Sequence, residues 1–448
     1  MITWLIPRQD LTPDQRRAVV MPPTLNRIVM GFAGSGKTQI LIHRAHHVAH
    51  TCGIPPDRFR VFVFTNVVKE YIRSGLEFLE IPDETVSTFD MWCVTLYKQN
   101  IARSLPYVEG GFQPDFDLIR GEVLNLVNRK KAFRNALEFV LVDEGQDLPP
   151  VVYDILRIVA RHVTVFVDPQ QRIFDDGADP AFIREKLGIE APQVALLGAY
   201  RNAAYVAELA AHFIDEPAKR DEYLAQVGAE QRVRDRPLFF TAASVEQEMD
   251  RLAEIVRSRQ VQNDRIGIIT ARNHLLNTVA RELAERGVEV ERAVSRNKDR
   301  AARGPCNFGN LVPKIATFHQ AKGLTFDSVL LPRLTKAALA KFSPDTRRRL
   351  LFTGIARAAQ WVYLSTIEGE EAAELAVLGD AAARGQLTVQ GAEDWRGGVG
   401  MRRPAKGRKR RDEEEDANRP LFGGSDDEGA EKGDGDGEGE GEDEYSVL

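Results

Sequence analysis

Two stretches of the sequence carry side chains that could do chemistry on a phosphate group. The first reads GFAGSGKT over residues 31–38, after an apolar run at 27–30 and before a helix-patterned segment at 39–45. A strand, a glycine loop and a helix in this order are typical of a P-loop, whose backbone N–H groups surround the α- and β-phosphates of a nucleotide. Lys37 would reach the β- and γ-phosphates, and Thr38 would hold Mg²⁺. A chance glycine-rich turn is the alternative, and the flanking pattern argues against it.

The second stretch is an apolar run at 137–142 that is followed at once by Asp143 and Glu144. Hydrolysis of a nucleoside triphosphate needs such a pair. Asp143 would hold Mg²⁺ through water, and Glu144 would orient and deprotonate the attacking water. Exposed loop carboxylates are the alternative, which a P-loop in the same chain makes the weaker one.

The composition is that of a globular protein with two or three domains, because 448 residues with 43% hydrophobic side chains can bury sizeable cores. No run of about 18 apolar residues occurs, and residues 1–7 lack both a basic region and an apolar core. We therefore expect a cytoplasmic protein with no membrane partner. Cys52, Cys93 and Cys306 show no CxxC or Cys/His spacing, so the default is a reducing compartment and no zinc.

The charge is unevenly distributed along the chain. Residues 412–448 hold sixteen Asp and Glu against two basic residues, and residues 402–411 hold seven Lys and Arg. The remaining body is nearly neutral, so a nucleic-acid surface would have to be a local channel. We expect residues 392–448 to be a disordered tail, since they are rich in glycine and charge. Its basic block could bind nucleic acid and its acidic block could cover a basic channel, or the tail could simply keep the protein soluble.

The first part of the chain alternates strand and helix patterns. Thr12 and Pro13 predict a helix start that places Gln15, whose amide could read the edge of adenine, upstream of the glycine loop. Apolar segments at 60–64 and 85–92 bring hydroxyls and aromatic rings to predicted strand ends, where parallel sheets bind ligands. Phe64, Phe89 and Trp92 could equally be core aromatics.

A small helical insertion is predicted at about 96–136, and its basic residues near 129–134 could contact phosphates or form a wet helix face. The next strands, at 163–167 and 194–197, lead to Gln171 with Phe174 and to Tyr200 with Arg201. A tyrosine ring beside a guanidinium can stack on a base and bind a phosphate.

From about residue 203 the alternation restarts, which predicts a second α/β domain. Its strands are expected near 238–240 and 265–270, and its helices from Ser244 to about Arg259 and from His274 to Arg286. It also carries two polar segments between apolar ones, at 314–327 and 350–359. Arg357 lies in the second of these, where an ordinary surface salt bridge is the alternative.

In chain order these motifs resemble the UvrD/Rep family of superfamily 1 helicases, and the resemblance covers residues 11 to about 365. Residues 12–15 are similar to the family's adenine-reading Q motif, and GFAGSGKT has the family's form of the P-loop. The further matches are motif Ia at 64–66, Ib at 87–89, II at 143–147, III at 168–174, IV at 200–201, V at 317–323 and VI at 352–358.

The resemblance implies an α/β fold of two RecA-like domains with parallel sheets, with ATP and Mg²⁺ in the cleft between them. The implied catalytic residues are Lys37, Asp143, Glu144, Gln171 as γ-phosphate sensor, Arg201 and Arg357. The implied nucleotide-binding residues are Gln15, Gly31, Ala33, Gly34, Ser35, Gly36, Lys37, Thr38, Tyr200 and Gly323, with Thr38 and Asp143 at the metal. Arg357 would act across the gap from the second domain, because a planar, permanently charged fork can stabilise the γ-phosphoryl group when the cleft closes.

The resemblance also implies movement along single-stranded DNA with 3′-to-5′ polarity, driven by closure and opening of the cleft. Aromatic rings would stack on bases and polar groups would hold phosphates. The implied strand-binding residues are Phe64, Thr65, Asn66, Thr88, Phe89, Phe174, Thr317 and His319.

The sequence departs from the family pattern at several places. Thr325 and Ala356 replace the usual glutamate of motif V and threonine of motif VI, and residues 175–177 replace an aromatic-Arg-Gly step. ATP hydrolysis is therefore better supported than vigorous unwinding. The spacing between motifs predicts that a large accessory domain is missing from the second half, with 295–312 as a candidate stub.

The predicted domains are 1–202, with the insertion, and 203–391, followed by the tail. One function is an ATP-dependent DNA translocase or helicase in repair, recombination or phage defence. The alternative is a nucleotide-gated switch subunit that recruits or restrains a partner enzyme such as a nuclease. No residue argues against RNA as the strand.

Overall fold

The computed structural model describes residues 5–32, 34–77, 81–168, 177–197, 203–226, 235–293 and 306–393. Several predicted site residues lie outside these ranges, namely Ala33, Gln171, Phe174, Tyr200 and Arg201. The predicted tail from residue 394 onward lies outside them as well.

The described chain up to residue 197, here called the first lobe, alternates strands and helices. Its strands are β1 (Arg27–Gly31), β2 (Phe59–Val63), β3 (Val86–Thr88), β4 (Leu137–Val142), β5 (Ala160–Val167) and β6 (Val194–Leu197). Its helices are α1 (Pro13–Val20), α2 (Lys37–His46), α3 (Asn66–Glu77), α4 (Phe89–Asn100), α5 (Phe116–Arg129), α6 (Pro150–Val159) and α7 (Pro180–Leu187).

The described chain from residue 203 onward, here called the second lobe, repeats the alternation. Its strands are β7 (Leu238–Ala242), β8 (Ile266–Thr270), β9 (Glu291–Arg292), β10 (Lys314–Thr317), β11 (Phe326–Leu331), β12 (Ala358–Ile367) and β13 (Thr388–Gln390). Its helices are α8 (Ala204–Ala211), α9 (Pro217–Gln226), α10 (Val245–Val261), α11 (Asn273–Glu285), α12 (Phe318–Ala321), α13 (Lys336–Leu339), α14 (Pro344–Ile355) and α15 (Leu378–Ala383).

The first lobe is built on a six-stranded sheet with the order β3-β2-β4-β5-β1-β6, and every pair in it is parallel. Parallel strands are joined by helices that cover the sheet, so its strands read as apolar runs rather than alternating ones. Because β4, β5 and β1 are neighbours, their carboxyl ends bring Asp143, Asp168 and the glycine loop together. This is the edge at which α/β sheets bind ligands.

The second lobe is built on a seven-stranded sheet with the order β13-β7-β12-β11-β8-β10-β9, also parallel throughout. All five residues of β7 and of β8 are buried, as expected for strands with helices on both faces. The predicted α/β fold with two parallel sheets is confirmed.

Local sequence signals predicted where several elements begin, and the structure has them at or near those residues. Thr12 caps α1 with Pro13 at its first position, and Ser244 caps α10. One expectation was less accurate: β3 ends at Thr88, and Phe89 already begins α4, so the segment 85–92 is a short strand followed by a helix. Within the predicted insertion, α5 packs beside α4, and Arg120 pairs with Asp90.

Two further findings concern the limits of the fold. None of the described helices combines the length and apolar character that a membrane crossing requires. In the candidate stub, residues 306–312 carry neither helix nor strand.

Candidate active site

The glycine loop between β1 and α2 adopts a conformation that depends on its glycines. Gly34 and Gly36 both have φ of +81°, in the left-handed region that favours glycine. A β-carbon on Gly31 would lie 2.4 Å from the hydroxyl oxygen of Ser35, so a side chain there would collide with the loop. The loop backbone is therefore tightly folded where it leads into the amino end of α2, as an anion-binding site requires.

Lys37, the first residue of α2, turns its ammonium group back into the loop. Its Nζ donates to the carbonyl of Gly31 at 2.8 Å and lies 3.1 Å from a carboxylate oxygen of Asp168. Both side chains are buried, Lys37 at 7% exposure and Asp168 at 0%. Sequence reasoning placed Asp168 in a motif but did not predict its pairing with Lys37. The only sequence signal for the pairing is that an acidic residue follows the neighbouring strand, β5.

Gln15 lies against the glycine loop, as its predicted role requires. Its Nε2 donates to the carbonyl of Ser35 at 2.9 Å, and its Oε1 accepts from the backbone N–H of Thr12 at 3.0 Å. Thr12 and Gln15 thereby form a capping box at the start of α1. In this structure each end of the amide makes one bond to the protein, which leaves a second N–H and a second lone pair for a base.

Asp143 follows β4 directly and is 1% exposed. Neither of its carboxylate oxygens has a hydrogen-bond partner within the described ranges. Burial, reinforced by the neighbouring charge of Glu144, raises the pKa of Asp143 to about 7. A buried carboxylate with free lone pairs fits the predicted Mg²⁺ position, since hard cations prefer oxygen ligands.

Glu144 stands next to it in the left-handed region, with φ of +47°. Its carboxylate accepts a 2.6 Å hydrogen bond from the side-chain amide of Gln146. Burial opposes ionisation, but the charges of Lys322, Lys37 and Arg357, together with the Gln146 bond, lower the pKa of Glu144 below its usual value. Two adjacent carboxyl groups thus have pKa values driven apart, which is typical of catalytic pairs.

Gln146 joins the ends of two strands. It donates to Glu144 after β4 and accepts from the backbone N–H of Asp168 after β5, at 3.0 Å. Sequence reasoning assigned it no role, and its only signal was its place in the 143–147 segment. It fixes the orientation of Glu144 relative to the carboxylate that holds Lys37.

The segment after α12 in the second lobe contacts the carboxyl edge of the first-lobe sheet. Lys322 forms a buried ion pair with Asp147 of the first lobe, and the side chains are 1% and 0% exposed. The hydroxyl of Thr38 donates to the carbonyl of Gly323 at 3.3 Å. Gly323 has φ of +80°, and a β-carbon there would come within 3.0 Å of Val68. Sequence reasoning had not assigned a role to either Lys322 or Asp147.

Arg357 follows α14 in the second lobe and is 6% exposed. Its Nε donates to the carbonyl of Thr353 at 3.3 Å. It shares a narrow cleft of about 30 Å³ with residues of both lobes, so the space in this structure holds a water or two. The lining residues are Gly34, Gly36, Lys37, Thr38, Gln39, Tyr71, Glu144, Gly323, Thr325 and Arg357. Thr325, which stands where the resembled family usually has a glutamate, thus lines the cleft.

The predicted strand-binding residues differ in what they expose. Phe89 is 2% exposed and packs edge-on to Phe62 at 5.1 Å, so the structure supports its reading as a core aromatic, and it offers no ring to a base. Thr88 and Thr317 are both buried caps, of α4 and of α12.

The remaining candidates are half-buried. Phe64 packs against the first-lobe core, and the hydroxyl of Thr65 accepts from the N–H of Val68, with Asn66 next in the chain at the start of α3. His319 lies 6.1 Å from the ring of Phe342, and burial, with Lys322 nearby, lowers its pKa to about 4. His319 is therefore neutral at physiological pH and offers hydrogen bonding rather than charge.

Comparison with known families agrees with this arrangement. The family model described as UvrD/REP helicase N-terminal domain matches residues 11–122, and the model described as UvrD-like helicase C-terminal domain matches residues 315–365. The two matched segments are similar to the N-terminal and C-terminal domains of UvrD-like helicases. Lys37 and Arg357 fall inside the two matched segments, whereas Glu144 falls between them and lines the same cleft through the fold.

A solved structure, described as the C-terminal domain of a possible DNA helicase from Lactobacillus plantarum WCFS1, is 18% identical to this UvrD-like chain. The match covers 43% of the chain and 99% of that structure, with a TM-score of 0.32. No curated protein sequence matches the chain.

Proposed function

We propose that this UvrD-like protein is an ATPase stimulated by single-stranded DNA, which uses Mg²⁺ and ATP to translocate along the strand in the 3′-to-5′ direction. The observation that carries the proposal is that Arg357 of one lobe lines the same cleft as Lys37 and Glu144 of the other. Binding and hydrolysis in such a cleft are coupled to the relative position of two lobes. That coupling is what a motor needs.

The proposed chemistry divides between the two walls. Lys37 leaves Asp168 to bind the β- and γ-phosphates, and the N–H groups of the loop hold the remaining phosphate oxygens. Glu144, kept ionised by the surrounding positive charges, accepts the proton of the attacking water. Arg357 stabilises charge on the γ-phosphoryl group from the facing wall. Mg²⁺, when bound near Thr38 and Asp143, would neutralise phosphate charge.

The proposed strand path runs along the polar ends of the strands in both lobes. Thr65 and Asn66 after β2 and His319 after β10 are half-buried and offer hydrogen-bonding groups there. Cleft opening and closing would move these two groups relative to each other. A strand held by both would then advance with each hydrolysis.

The test is phosphate release by the full chain with Mg²⁺-ATP, with and without oligo-dT, duplex DNA and single-stranded RNA. We expect strong stimulation by oligo-dT and none for the Lys37→Ala variant, with Lys186→Ala, at a surface ion pair with Asp154, as the matched control. Displacement of streptavidin from the 5′ but not the 3′ end of a biotinylated strand would support the polarity. Hydrolysis that no nucleic acid stimulates would contradict the motor and favour the nucleotide-gated switch.

A further inference from the structure

Tyr223 of α9 packs between an aromatic ring of the first lobe and one of the second lobe. Its ring meets Phe32 of the glycine loop edge-on at 6.0 Å between centroids, and Phe352 of α14 edge-on at 5.3 Å. The side chain is 0% exposed. A second-lobe aromatic therefore packs directly between the phosphate loop and the helix that leads to Arg357.

The hydroxyl of Tyr223 has no hydrogen-bond partner among the residues that the structure describes. Leaving a buried polar group unpaired is destabilising. Phenylalanine would make the same two ring contacts without that cost. Within the described part of the chain, the packing therefore makes no use of the hydroxyl.

The charges that act on the hydroxyl belong to residues of the candidate site. Burial raises the pKa of Tyr223, the negative charge of Asp168 raises it further, and the positive charge of Arg357 opposes this. Asp168 is the carboxylate that holds Lys37, and Arg357 lines the cleft. The phenol remains a neutral donor at physiological pH.

We propose that the Tyr223 hydroxyl donates a hydrogen bond to the terminal phosphoryl group of the bound nucleoside triphosphate. The inference rests on the proposed function of the cleft and adds a residue to it. A neutral donor wedged between the lobes would distinguish a triphosphate from a diphosphate, because only the former extends a third phosphoryl group beyond Lys37. Tyr223 would then report the presence of that group to α9 and α14.

The experiment compares wild type with Tyr223→Phe by calorimetric titration with Mg²⁺-AMP-PNP and with Mg²⁺-ADP. A hydrogen bond to a charged group predicts that Tyr223→Phe weakens AMP-PNP binding about tenfold or more and changes ADP binding less than twofold. The melting temperature of the nucleotide-free variant should stay level or rise. The matched control is Tyr363→Phe, because Tyr363 on β12 is also fully buried and its surroundings are Glu248, Arg251 and Glu254 rather than the cleft.

Each outcome decides between ideas. Unchanged AMP-PNP binding in Tyr223→Phe overturns the inference and leaves the proposed ATPase standing. Equal weakening of both nucleotides with a lower melting temperature also overturns it, because the hydroxyl would then serve the fold. If wild type binds neither nucleotide, the proposed function fails and the inference fails with it.

Discussion

Lys322 and Asp147 form an ion pair that joins the two lobes, and both side chains are almost completely buried. Asp147 also accepts a 3.3 Å hydrogen bond from Gln146, the residue that orients Glu144. The pair therefore connects the second lobe to the carboxylate of Glu144 through a single glutamine. On the proposed function, closing the cleft would also position Glu144.

The first prediction concerns this pair. Removing one partner leaves the other charge buried without this ion pair, so Asp147→Asn or Lys322→Met should each lower the free energy of unfolding by about 3–5 kcal/mol. The double variant should lose clearly less than the sum of the two. Urea unfolding measures these changes. The exposed pair Lys186–Asp154 is the control, and its variants should change stability by about 1 kcal/mol or less. Additive losses at 147 and 322 would show that the pair is not coupled.

The second prediction concerns Glu144→Gln. The amide keeps the size of the side chain but cannot accept the proton of water, so turnover should fall by about 10²-fold or more while nucleotide still binds. Phosphate release and calorimetric titration measure the two effects separately. Glu138→Gln is the matched control, because Glu138 lies on β4, the strand that leads to Glu144, and is partly exposed and paired with Arg161. A variant that binds and hydrolyses like wild type would remove Glu144 from the proposed chemistry.

The third prediction concerns Arg357→Ala. An arginine that stabilises the transition state across a cleft contributes about 10³-fold or more to turnover. ADP affinity should change little, since the diphosphate lacks the group that Arg357 is proposed to contact. Arg348→Ala is the control, because Arg348 lies on the preceding helix and pairs with Asp215 at the surface. Equal losses in ADP binding and turnover would instead mean that Arg357 only supports the fold.

The fourth prediction concerns pH. Because the pKa of Asp143 is raised to about 7 in the folded protein, the folded state holds a proton that the unfolded state releases near pH 4. This group's contribution to stability is thus greatest at low pH and is lost as pH rises toward 7. Glu144, whose pKa is lowered, affects stability only below its usual titration range. Between pH 5 and 8, Asp143→Asn should therefore gain stability relative to wild type in urea unfolding. A constant difference across that range would contradict the raised pKa.

Sequence reasoning recovered the parts of the site that are local. The glycine loop and the strand before Asp143 carry their pattern within a few residues, and the structure places both at one sheet edge. Gln15 was placed on a helix because Thr12 and Pro13 are also a local pattern, that of a helix start. Their roles in nucleotide binding stay predictions until they are measured.

What sequence reasoning missed depends on distance along the chain. Lys322 and Asp147 are 175 residues apart, and neither has a local signature of pairing. Tyr223 lies on a helix with no functional pattern, and only packing brings it to Phe32. For Phe89 a local pattern suggested a strand-binding role, because an aromatic residue after a strand can face a ligand or the core. In the structure Phe89 packs against Phe62 and Trp92 and lies in the core.

The contact between Lys37 and Asp168 gives the candidate phosphate pocket an internal counter-ion. On the proposed function, an arriving triphosphate must displace that carboxylate from Lys37. Since Asp168 already supplies one negative charge, Lys37 favours the triphosphate only because the triphosphate carries more negative charge than the carboxylate. Once the γ-phosphoryl group is gone, Asp168 competes more evenly with the spent nucleotide for the same ammonium. On the proposed function, the Asp168 carboxylate would slow ATP binding and would also speed ADP release. Turnover would then depend on how similar the affinities of Lys37 for Asp168 and for the nucleotide are.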